Sequence, residues 1–122
     1  MDTTTPTTTD TVDAYLAGLN ETDAATRRAT IARAWIPEGH YLDPQFEARG
    51  HDELDQLAQG VHAQFPGHRF ERTTAVDGHH GLVRFGWQLT GPDGAVVTGL
   101  DVAVVAPDGR LERVAGFFGE LA

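Results

Sequence analysis

Cysteine is missing from this 122-residue chain. It therefore has no disulfide framework, no thiolate nucleophile and no thiolate metal ligand. Lysine is missing too. All nine basic residues are arginines, set against 18 acids, for a net charge of −9. A phosphate-backbone partner needs a basic face, so no nucleic-acid partner is expected. No apolar run approaches the ~20 residues that a membrane helix requires, so no membrane partner is expected either. The N-terminus, MDTTTPTTTD, lacks the positive start and the apolar stretch of a secretory signal. A cytoplasmic location is the default expectation. No internal repeat and no linker is visible.

What is present suits one domain with a single core, given a 40% hydrophobic composition. Residues 1–9 are a Thr/Pro run without apolar period and are expected to form a disordered tail. A single domain is expected over 10–122. Thr9 or Asp10 can cap a first helix, whose stripe is Val12, Tyr15, Leu16 and Leu19. Thr22 or Asp23 caps a second, running to about Ile36. Its inward face is expected at Ala25, Ala29, Ala32 and Trp35, with Ile31 beside them and Arg27, Arg28 and Arg33 outside. Gly39 to Arg49 reads as a short extended pair. Gly50 opens a third helix with the stripe Leu54, Leu57, Ala58 and Val61, ended by Pro66-Gly67.

Four strands are expected at about 68–77, 80–90, 95–106 and 110–119. Their turns are Asp77-Gly78, Pro92-Asp93-Gly94 and Pro107-Asp108-Gly109. Short turns imply an antiparallel meander. The fold class is therefore α+β, with three helices packed on one face of an antiparallel sheet. The strand VVTGLDVAVV is apolar on both faces, so both should be covered. Helices can cover only one. The other is expected to be a homodimer interface.

Asp101 does not belong in that strand. A carboxylate among Leu100, Val102 and Val104 must find a partner, keep a proton or face a cavity. Two other polar residues stand in apolar surroundings: Tyr15 on the first stripe and Asp43 after HYL. Each has a plainer reading. Tyr15 can be a core tyrosine, Asp43 a turn former, and Asp101 the partner of Arg84. Together they form a workable acid/base set, in which one carboxylate abstracts a proton and the other stays protonated by burial. The six histidines have no helical i, i+4 spacing with an acidic third ligand, so neither metal nor cofactor is expected.

The motifs YLAGLNETD (15–23), YLDP (41–44), ARGHDEL (48–54) and GLDVAVVAPDGRLERVAGFFGEL (99–121) resemble the nuclear transport factor 2-like superfamily. That superfamily includes ketosteroid isomerases and SnoaL-type polyketide cyclases. The resemblance implies a cone-shaped fold with a curved sheet. It likens Tyr15 to the isomerases' helix-one tyrosine, Asp43 to their general base and Asp101 to their protonated oxyanion-hole acid. Exchanging the two carboxylate roles is open, because environment alone decides which one ionises. Phe118 and Val114 are implied in the cavity wall, with Trp35, Tyr41, Leu57 and Val61 opposite; Phe65 and His62 are added from the third helix. The expected activity is cofactor-independent acid/base chemistry next to a carbonyl, on an apolar polyketide- or steroid-like small molecule. The alternative is a non-catalytic ligand-binding or dimerisation module of the same fold.

Overall fold

Thr7 opens the first helix. Its hydroxyl accepts from the Asp10 N–H, and the Asp10 carboxylate accepts from the Thr7 N–H, a reciprocal capping box. The structure, a computed structural model, describes residues 7–120. Most of the expected tail, residues 1–6, lies outside the described residues. Residues 7–9 do not belong to a tail, because the capping box starts the helix at Thr8.

The order is α1 (Thr8–Asn20), α2 (Ala24–Ala34), β1 (Trp35–Leu42), β2 (Glu47–Arg49) and α3 (Gly50–Gln64), then β3 (Arg69–Arg72), β4 (Asp77–His79), β5 (Leu82–Gly91), β6 (Gly94–Val105) and β7 (Leu111–Phe118). No helix among the described residues is long and apolar enough to cross a membrane. The fold is α+β, with three helices against one curved, mixed sheet.

The strands run in the order β2-β1-β7-β6-β5-β3, with β4 also paired to β5. The expectation of a purely antiparallel sheet is corrected at one place: β1 pairs with β7 in parallel. No hairpin joins these two strands, so no short turn dictates their direction. The expected strand at 68–77 is split into β3 and β4. The turn expected at Asp77-Gly78 falls instead at His80-Gly81, where both residues have positive φ, as a two-residue hairpin turn requires.

Helix α1 buries Val12, Tyr15 and Leu16, the expected stripe. Asn20 then ties the helix end to β3: its side chain donates to the Phe70 carbonyl at 2.9 Å and accepts from the Phe70 N–H at 2.7 Å. Helix α2 departs from expectation. Ala25, Ala29 and Ala32 are exposed, and the buried face is Arg27, Thr30, Ile31 and Ala34. Arg27 faces inward because Asp55 of α3 is there: Nε donates to Oδ1 at 2.6 Å, and both side chains are almost fully buried. The helix ends at Ala34 rather than Ile36, and Trp35 already belongs to β1.

The core lies between the helices and the inner face of β5, β6 and β7. Phe85, Leu111, Val12 and Val114 are its most buried large side chains. On β6, Asp101 and Ala103 point inward, while Leu100 and Val102 are exposed on the outer face. The alternation of the strand separates them.

Candidate active site

Asp101 sits in mid-strand, directly opposite Phe85 of β5 and Gly116 of β7. It is 2% exposed. Oδ2 accepts from the Tyr15 hydroxyl at 2.9 Å, and Oδ1 accepts from the Trp87 indole N–H at 2.9 Å. Burial pushes its carboxyl up to about 7. The two hydrogen bonds oppose that rise, and the charge of Asp43 adds to it. Asp101 is not paired with Arg84. Arg84 points to the opposite face of the sheet and donates to Asp77.

Asp43 occupies the short loop between β1 and β2. Its Oδ1 accepts the backbone N–H groups of Gln45 and Phe46, at 2.7 and 2.8 Å. Its Oδ2 accepts the Tyr41 hydroxyl at 2.5 Å. The turn-forming reading and the site reading thus apply to different oxygens of one side chain. Burial also raises Tyr15 and Tyr41 well above the ordinary phenol range, Tyr15 further through the charge of Asp101 and Tyr41 through its hydrogen bond to Asp43. Both hydroxyls therefore remain protonated donors at neutral pH.

Gly116 leaves room for both aspartates to pack against the same point of β7. A Cβ there would lie 3.0 Å from Asp101 Oδ1 and 3.3 Å from Asp43 Cβ. Gly99, paired with Trp87 on the neighbouring strand, leaves the space that the indole ring occupies on its way to Asp101. Glycine within a strand commonly marks such an approach.

These groups line one cavity of about 160 Å³. Tyr15, Tyr41, Asp43 and Asp101 reach it together with Leu57, Val61, Phe65 and Phe118. Its remaining wall includes Phe46, Phe70, Trp87, Leu89, Val97, Gln45 and Gln64. Three residues expected in the wall lie elsewhere. Trp35, displaced into β1 by the early end of α2, packs edge-on against Tyr15 at 5.7 Å, outside the cavity. Val114 is fully buried, two residues deeper along β7 than Gly116. His62 is one position past Val61, and the ~100° helical step turns it off the lining face. Trp87 is part of the buried core, and its place on the inward alternation of β5 is what brings its indole to Asp101.

Among the described residues, none in the wall is Arg or His. Among the described residues, no three His, Asp or Glu side chains are placed to hold a metal ion. The arrangement instead offers one carboxyl that titrates near neutrality, a second carboxylate and two neutral phenols. Such a set can remove a proton from carbon and hydrogen-bond to the oxyanion that results.

The family model described as SnoaL-like domain matches residues 12–114. The chain belongs to the SnoaL-like domain family. A structure from Agrobacterium tumefaciens, described as a candidate isomerase of that family, is 34% identical with a TM-score of 0.84; the match covers 90% of this chain and 95% of the other. A candidate SnoaL-like polyketide cyclase from Jannaschia is 15% identical, with a TM-score of 0.72 and coverage of 97% and 90%. A protein of ketosteroid isomerase-like fold from Catenulispora acidiphila, in complex with trimethylamine, is 13% identical, with a TM-score of 0.75 and coverage of 93% and 88%. The last two show likeness of fold alone. No curated protein matches the chain.

Proposed function

We propose that this SnoaL-like protein moves a proton next to a carbonyl in a small apolar molecule, without a cofactor, as an isomerase, cyclase or dehydratase does. The observation that carries this reading is Asp101, a buried carboxyl raised to about 7 in the wall of an apolar cavity. A general base works best with a pKa near the operating pH. Asp43 has three donors on its two oxygens, so both are engaged in holding the loop backbone and the Tyr41 hydroxyl. The carboxylate roles are therefore assigned in the exchanged order. Asp101 takes the proton on Oδ2, which frees the Tyr15 hydroxyl to turn and donate to the developing oxyanion, while the Tyr41 hydroxyl keeps its bond to Asp43. Asp43 orients Tyr41, and its charge raises the proton affinity of Asp101.

The volume bears on substrate size. An apolar cavity of about 150 Å³ holds a benzene-sized molecule. Here too only one ring or a short branched chain fits inside, so a polycyclic substrate would leave most of its rings at the mouth. The test is solvent-deuterium exchange α to the carbonyl of small enolisable ketones, followed by NMR. The expected result is exchange above the buffer rate, reduced about 10²-fold or more in Asp101→Asn. Exchange that is unchanged by Asp101→Asn would sink the assignment.

We propose also a homodimer through the outer face of β5, β6 and β7. Leu82, Leu100, Val102 and Phe117 stand exposed there, a larger apolar group than scattered surface residues make.

A further inference from the structure

Among the described residues two acids are almost fully buried, and their surroundings differ. Asp55 has the guanidinium of Arg27 at 2.6 Å and that of Arg28 at 3.4 Å. Asp101 has only the neutral donors Tyr15 and Trp87, and Asp43 packs beside it against Gly116. Among the described residues neither Asp43 nor Asp101 makes a salt bridge, and no Arg or His lines their cavity. The cavity thus brings two acids together without a fixed counter-charge. The rest of its wall is largely apolar and aromatic, with Tyr15, Tyr41, Phe70, Trp87 and Phe118 among the rings.

We infer that the cavity takes a compact organic cation: a tertiary or quaternary ammonium group on a molecule of about six to eight non-hydrogen atoms. An anion is opposed by both carboxylates. A metal ion or a primary ammonium would give up strong hydration for a wall that is largely apolar. A methylated ammonium is weakly hydrated, fits a space of about 160 Å³ and is attracted by carboxylates and aromatic faces alike. The inference rests on the cavity and its charge, not on proton transfer by Asp101. The cation is either a free ligand or the amino group of the carbonyl substrate.

Calorimetric titration with choline and with 3,3-dimethylbutan-1-ol, its neutral counterpart of the same shape, tests the inference. Choline is expected to bind about tenfold tighter or more. The Asp43→Asn/Asp101→Asn variant should lose that preference while keeping its affinity for the alcohol. Equal or tighter binding of the alcohol by the unaltered protein overturns the inference, as does a preference that survives in the double variant. The source of the cation is read from deuterium exchange in 4-(dimethylamino)butan-2-one and its carbon analogue 5-methylhexan-2-one. Faster catalysed exchange in the amine places the cation on the substrate; equal exchange, with choline competing, makes it a separate ligand. Choline binding with exchange in neither ketone upholds the cation site and removes the proton-transfer reading.

Discussion

Trp87 decides where a proton can sit on Asp101. An indole N–H donates and cannot accept, so Oδ1 must remain an acceptor. A proton on this carboxyl is left to Oδ2, beside the Tyr15 hydroxyl. The sign of the pH dependence follows. As a base, Asp101 works when deprotonated, so the exchange rate should rise with pH and level off above about 7. The Trp87 bond favours the ionised carboxyl. In Trp87→Phe the inflection should therefore move to higher pH by about one unit. A pH–rate profile and a carboxyl-carbon NMR titration check it together; an inflection that stays or falls would show that the indole contributes nothing to the acid. Asp101 was legible because a carboxylate in a Val-rich strand has no ordinary explanation. The Trp87 bond was not legible, because an aromatic on a strand is accounted for by packing alone and the register joining it to Asp101 is set by the fold.

Helix α2 shows the same limit one scale up. Its buried residues Arg27, Thr30, Ile31 and Ala34 follow the i, i+3, i+4, i+7 spacing. The stripe was hidden because it begins with an arginine, while three alanines spaced at Ala25, Ala29 and Ala32 suggested another face. What turns the helix is Asp55, 28 residues away on α3. Burial alone would raise the Asp55 carboxyl, but hydrogen bonds from Arg27 and Gln59 and the charges of Arg27 and Arg28 outweigh it, so it stays ionised. Arg27→Ala would leave that charge buried with only the longer Arg28 contact. It should cost about 3 kcal/mol in urea unfolding. Arg27→Met with Asp55→Leu should cost less than Arg27→Ala alone, because no unpaired charge remains. If the double variant is the less stable, the pair contributes more than it costs to bury. The extended pair expected at Gly39 to Arg49 is present as β1 and β2, but the contact of β1 with β7 spans most of the chain and depends on no turn that local residues encode.

For the whole molecule, the two faces of the sheet differ in what covers them. The helices close one face over Asp101 and its cavity, leaving Leu100 and Phe117, register partners on β6 and β7, on the other. Phe117 is 56% exposed and Leu100 38%. A chain with net charge −9 repels its copies at long range, so association depends on short-range apolar contact at this patch. Sedimentation at micromolar concentration should give a dimer. In an isologous interface, each residue near the axis meets the equivalent region of the other copy, so one substitution places two new charges in the contact. Leu100→Glu should therefore yield a monomer. Asp101 lies on the opposite face of the same strand, and its pKa should stay near 7 in that monomer, showing that the fold is intact. A wild type that sediments as a monomer would reject the interface. A monomeric Leu100→Glu protein in which Asp101 titrates normally would instead mean that each copy builds its cavity alone, with the dimer serving only to cover the outer face.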